Sequence, residues 1–284
     1  MSDTTEAAVR RLRESSPTVD AVCRQLERQV DPDEADLVAH FAEILFSKAP
    51  PEFLHERSTD ALAHMALGAF RFLGRSSGGG VDVEVLNPDV DNEGWYAPVT
   101  VIRTDLSERP FIVDTIREYL HAQDVAIEHL IYPVMHVQRD ETGSVIHVRP
   151  SREGGQRESL VHCEVSRVTD AAVLEGIRAD LTRLLQDVVR ATDDFEHMVD
   201  ALDSVMGDLA QRATEVPALA DELEEIQAFL RWLRDGGFVF LGYRGYDLVP
   251  VAGREGRSIV VEPGSGLGIL RNEAESTYAE AVPL

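Results

Sequence analysis

Apolar positions recur along this chain at two different periods, and the switches between them divide it. Asp31-Pro32-Asp33-Glu34 is a helix-start signal, and Leu37, Val38, Phe41, Ile44 and Leu45 follow at helical spacing. Beyond the Pro50-Pro51 break, Leu62, Met65, Ala66, Ala69, Phe72 and Leu73 form a second stripe ending at Gly74. The pattern predicts a helical segment over 1–80, closed by the loop Ser76-Ser77-Gly78-Gly79-Gly80.

From Val81 to Val168 the period moves toward two. Val81, Val83 and Val85 alternate with Asp82 and Glu84, and a β-branched run from Val99 through Arg103 predicts a strand ending at Asp105. Ile112, Val113, Ile116 and Leu120 then return to helical spacing, with Pro110 suited to the first helical turn. A long strand from Val125 to Val137 is interrupted by Pro133, which implies an edge or bulge there. Arg139 to Gly143 reads as a hairpin loop with Val145–Val148 returning, and Leu160–Val168 is a further strand after a loop around Gly154-Gly155. This order predicts an α+β sandwich over 81–168, its antiparallel sheet covered on one face.

Residues 169–236 return to helix, with stripes through Leu174–Val188, Phe195–Leu209 and Leu219–Leu233, and are expected to form a hairpin or bundle closed by Gly236-Gly237. Phe238–Tyr246 and Ser258–Val261 then read as strands of a further module over 237–284, too short to bury a core by itself. The expectation is a chain cut within a larger domain.

Charge narrows the function classes. A formal net charge of −24 over 284 residues argues against a nucleic acid or an anionic membrane as partner. Between Asp187 and Glu225 twelve acids face only Arg190 and Arg212, the pattern of a solvated helical face. The Met1–Glu6 start lacks a basic-then-apolar leader and no run approaches a membrane span, which predicts a cytoplasmic protein. Lys48 is the single lysine and precedes a Pro-Pro stop, a poor setting for a catalytic amine. Cys23 and Cys163 form no ligand-type pair and read as buried small hydrophobes.

Candidate chemistry is sparse. His129, His136, His147 and His162 fall on predicted strands without metal-cage spacing, His147 and His162 on the more polar faces. Gly264-Ser265-Gly266-Leu267-Gly268 misses dinucleotide-loop spacing and opens no helix, so a turn or surface loop is expected. The strand-to-helix junction from Asp105 to Asp114 remains. In one reading the helix-start amides with Ser107, Arg109 and Pro110 hold the carboxylate of a small amino acid, and Asp105 or Asp114 faces its ammonium. In the other, Arg109 pairs locally with Glu108 or Asp114 and Phe111 plugs the core.

The junction resembles the strand-to-helix loop of ACT domains, amino-acid-binding regulatory modules of β-α-β-β-α-β type whose usual pattern is Asp-Arg-Pro-Gly-Leu-Leu. Phe111 replaces the usual glycine. The wider set Arg109–Asp114, His129–Val134, Arg139-Asp140 with Gly143, Phe229–Leu233, Phe238–Tyr246 and Gly266–Gly268 resembles the N-terminal region of the large bacterial NAD-specific glutamate dehydrogenases. That resemblance implies an ACT-like (ferredoxin-like) fold in a non-catalytic regulatory and assembly segment. The parent enzyme would interconvert glutamate and 2-oxoglutarate with NAD, its catalytic residues and cofactor lying elsewhere in the polypeptide. It also implies the rest of that polypeptide as partner, with a homo-oligomer and an amino-acid effector as further expectations. A freestanding ACT-type amino-acid sensor or adaptor is the alternative.

Overall fold

The computed structural model describes residues 13–14, 16–76, 79–151, 157–251 and 256–283. The chain divides into two compact units, Met1–Leu185 and Gln186–Leu284.

The first unit opens with α1 (Pro17–Gln29), α2 (Ala35–Phe46), α3 (Pro51–His55) and α4 (Thr59–Arg75). Ser16 caps α1 through Val19 N at 3.4 Å with Pro17 behind it, and Ser58 caps α4 through Ala61 N at 3.1 Å. The acidic cluster before α2 acts differently from a side-chain cap: Asp31 accepts from Asp33 N in a turn, and the helix begins at Ala35. The helices expected before residue 13, Ser77-Gly78 of the closing loop, and Gly154-Gly155 lie outside the described residues.

Six strands form one antiparallel sheet: β1 (Asp82–Leu86), β2 (Val99–Ser107), β3 (Ile127–Ile131), β4 (Val134–Arg139), β5 (Val145–Pro150) and β6 (Glu158–Ser166). Their order is β1-β2-β6-β4-β5, with β3 also pairing β6. Helix α5 (Ile112–Ala122) connects β2 to β3, and α6 (Ala171–Asp193) follows β6 with Asp170 accepting from Ala172 N at 2.8 Å. Pro133 divides the expected long strand into β3 and β4, which pair with opposite ends of β6. A β-α-β-β-α-β module places its last strand after its second helix. Here every strand of this sheet precedes α6, and the edge beside β2 is held by β1 from upstream.

Strand parity sorts the layers. Val101 and Leu160, with Ile131, Met135 and Val148, share one continuous core with the buried residues of α1–α4, among them Phe41, Phe53, Leu62, Met65 and Leu73. The opposite parity, Ile102, Leu106, Val161, Cys163 and Val165, is equally buried, as are Ile112, Ile116 and Leu120 of α5 and Ile177 and Leu181 of α6. The sheet is therefore covered on both faces, not one. The helices before residue 80 are a layer of the same unit, so the expected boundary there is a loop between layers and not a boundary between cores.

In the second unit α7 (Phe195–Glu215) packs with α8 (Ala220–Trp232), which ends in a wide turn at Gly236, φ 96°. Two small sheets follow: β7 (Gly242–Tyr243) with β10 (Leu267–Gly268), and β8 (Tyr246–Pro250), β9 (Arg257–Val261) and β11 (Val282–Pro283). The expected strand over Phe238–Tyr246 is limited to Gly242–Tyr243 before β8 begins. Phe238, Val239 and Leu241 are exposed instead.

Candidate functional site

β2 runs through Asp105 and ends at Ser107, two residues later than its pattern predicts. Pro110 lies ahead of the helix and not in its first turn, because Phe111 occupies the N-cap in the left-handed region, φ 73° and ψ 1°, and α5 begins at Ile112. The ACT pattern has glycine at that position, and the backbone keeps a glycine conformation without the residue that favours it. A left-handed non-glycine residue costs about 1–2 kcal/mol. Phe111 is 43% exposed and recovers little by burial. Phe111→Gly is expected to leave stability within about 1 kcal/mol of wild type, and Phe111→Val to fall about 1–2 kcal/mol below it, read as urea midpoints.

The sheet separates the residues expected to act together. Positions 101, 103 and 105 share one parity, and Arg103 lies directly under Gly68 of α4, where an added Cβ would meet its guanidinium at 2.9 Å and collide with the Glu93 carboxylate. Asp105 thus faces the α1–α4 layer. Helix α5 belongs to the other face, where its Arg117 is felt by Cys163. Asp105 and the α5 N-terminus cannot hold the two ends of one small ligand. Ser107, Arg109, Pro110, Phe111 and Asp114 stay together at the strand end, with Pro110, Phe111 and Asp114 exposed. Arg109 folds back so that its Nε donates to the Ser107 carbonyl at 3.1 Å. Glu108 accepts from Tyr132 Oη at 2.6 Å and from Ser159 Oγ, and burial together with that carboxylate raises the Tyr132 hydroxyl to about 12.

Asp105 belongs to a buried polar cluster that parity alone places but does not explain. Its carboxyl is hydrogen-bonded with Ser76 Oγ, stands beside Glu158, and lies 4.0 Å from Arg139. Burial, reinforced by Glu158, raises its carboxyl to about 7. Further along the same face Arg103, fully buried, donates to Glu84 at 2.9 Å and to Glu93 at 2.6 and 3.1 Å. Arg57 lies 3.8 Å over the Phe53 ring and donates to Glu164 at 2.5 Å. Burial works to raise Glu164, yet His162 and Arg57 outweigh it and hold the carboxyl below its usual range. His162 is fully buried and held below its usual range by that burial. His162 sits on a face that its polar neighbours suggest is solvated. That face is polar because it meets a helical layer bringing its own charges. Arg103, Glu158, Glu164 and Ser76 carried no recognisable motif, and the one available signal was four charged side chains, Arg103, Asp105, Glu158 and Glu164, on one parity of two strands.

Elsewhere the sequence reading of individual residues stands. Cys23 and Cys163 are buried, and burial lifts both thiols to about 12. His147 is exposed, and half-buried His129 packs edge-on to Phe53 at 5.1 Å. The 264–268 loop uses its amides internally: Gly266 N donates to Glu273 at 3.0 Å and Gly268 N to Asp194 at 2.7 Å, Asp194 being further held by Arg271 at 2.5 Å. Among the described residues no helix is long and apolar enough to cross a membrane, and no three His, Cys, Asp or Glu side chains group as a metal site.

The architecture is that of an ACT-like α+β module, an antiparallel sheet between two helical layers. Residues 41–181 match the family described as "Glutamate dehydrogenase, ACT1 domain". The chain is 32% identical over 262 residues to the NAD-specific glutamate dehydrogenase of Halomonas elongata, covering 91% of this chain and 16% of that protein. It is 30% identical over 237 residues to the protein of that name in Pseudomonas aeruginosa, covering 82% and 14%. To the one in Mycobacterium tuberculosis it is 27% identical over 217 residues, covering 75% and 12%. The chain thus spans about one sixth or less of the length of the relatives it matches.

Proposed function

We propose that this chain acts as a non-catalytic regulatory and assembly segment of a large cytoplasmic NAD-specific glutamate dehydrogenase, which oxidises L-glutamate to 2-oxoglutarate and ammonium with NAD. The observation that carries this reading is the continuous similarity to such enzymes over 91% of the chain, together with the ACT1 match across 41–181. The carboxylate-filled 264–268 loop supports placing NAD chemistry elsewhere in the parent polypeptide. As partner we propose the remainder of that polypeptide within a homo-oligomer. Phe229, Trp232 and Phe238, exposed by 52–61% while in ring contact with one another, are the kind of surface such a contact would cover.

Two measurements test the proposal. The isolated chain, given NAD with glutamate or NADH with 2-oxoglutarate and ammonium, is expected to give no absorbance change at 340 nm, and turnover would overturn the reading. If an amino-acid effector binds, Arg109 and Asp114 supply its charged contacts at the end of β2. Calorimetry with an amino-acid panel tests that role, and no heat at millimolar concentration leaves assembly alone.

A further inference from the structure

The hydrogen bonds at the C-terminal end of α4 require one more proton than ionised side chains supply. Ser76 Oγ lies within hydrogen-bond distance of two carboxylate oxygens, Asp82 Oδ2 at 2.9 Å and Asp105 Oδ2. A hydroxyl has one proton to donate, so with both acids ionised one oxygen would face a lone pair. Asp82 is half-buried, whereas Asp105 is fully buried with a second carboxyl, Glu158, beside it. Arg139, the cation nearest to Asp105, is committed elsewhere: it donates to Glu158 at 2.9 Å and to the Leu73 carbonyl of α4 at 3.1 Å. The proton therefore belongs on Asp105, which donates to Ser76 Oγ while Ser76 donates to Asp82.

We propose that protonated Asp105 is a latch fastening the last turn of α4 to the sheet, and that its ionisation releases that turn. Arg139 forms the second strap, tying Leu73 to Glu158. The charged groups around the latch come from every element packed against it. They are Arg75 of α4, paired with Glu84 at 2.6 Å; Asp82 and Glu84 of β1; Arg103 of β2; Arg139 of β4; and Glu158 with His162 of β6. A cleft of about 290 Å³ lined by Arg75, Ser76, Asp82, Glu84 and Arg178 lies at the Ser76 side of the latch. Ionisation would place a further negative charge beside Glu158, inside the sheet. The inference concerns only this unit and does not rest on the enzyme assignment.

The folded carboxyl near 7 lies above its ordinary 3.8, so closure binds a proton. The latch is strongest below about 4, loses up to about tenfold in its closing constant per pH unit above that, and changes little beyond about 7. Carboxyl ¹³C NMR of the whole chain, with Asp105→Asn for assignment, is expected to show one aspartate midpoint near neutrality. Hydrogen exchange at the Ser76 amide, corrected for intrinsic rates, is expected to lose protection at least tenfold between pH 5 and 7.5 in wild type and to stay flat in Asp105→Asn. Should Asp105→Asn fail to fold, Glu158→Gln serves: removal of the neighbouring charge should move the midpoint and the protection loss together to lower pH. An Asp105 midpoint near 4, or Ser76 protection that does not follow its titration, overturns the proposal.

Discussion

Residues 81–168, excised as the α+β module that strand periodicity marks out, are expected not to fold alone, whereas 13–193 should unfold in one cooperative transition. Val101, Ile131, Met135, Val148 and Leu160 are fully or almost fully buried against the α1–α4 layer. At about 1.5–3 kcal/mol for each such side chain returned to water, the excised sheet forfeits roughly 10 kcal/mol on this face. That equals the whole stability of an ordinary domain, about 5–15 kcal/mol. The opposite face also loses Ile177 and Leu181 of α6, so the deficit is larger still. Circular dichroism during urea titration decides the matter. A sigmoidal transition from 81–168 would show that the helical layer is an accessory, and a broad, non-cooperative change would show that it is half of the core.

Arg103→Met should be the most damaging single substitution in the first unit, destabilising it by about 3–5 kcal/mol. The guanidinium is completely buried and carries three hydrogen bonds to Glu84 and Glu93, the latter only 10% exposed. Its removal leaves a nearly buried carboxylate of Glu93 with its principal cation gone, and burial of an uncompensated charge is what makes the loss large. Glu93→Gln in the Arg103→Met background should restore at least about 1 kcal/mol, because the residual charge disappears. Gly68 belongs to the same argument, since a side chain there would collide with the pair from the helix above. Urea midpoints of the two single variants and the double variant measure both effects.

Much of the fold was legible in the chain itself because helix and strand periods are properties of consecutive residues. The stripes from Leu62 to Leu73 and from Leu174 to Val188, the break at Pro133 and the Arg139–Gly143 hairpin all appear where local chemistry puts them. The errors about the sheet's faces share one cause. Arg103, Asp105, His162 and Glu164 make one parity of β2 and β6 polar, and polarity on a strand face normally means water. Nothing local distinguishes a face turned to solvent from one turned to a helical layer with Ser76, Arg57 and Glu93 positioned to meet it.

The junction from Asp105 to Asp114 shows the same division. Its residues specified a strand, a turn and a helix, and the missing glycine at Phe111 was visible at once. Sequence alone also fixed the acidic, lysine-poor character of the chain and the resemblance that the ACT1 match bears out. Only the tertiary structure decided that Asp105 points away from α5 and into the helical interface, because side-chain direction on a strand acquires meaning only when both faces have been covered. It likewise decided that the edge next to β2 is filled from upstream and that residues 17–75 complete a core they do not adjoin in sequence. Burial and ion pairing depend on which surfaces meet, and those meetings join residues as far apart as Arg57 and Glu164.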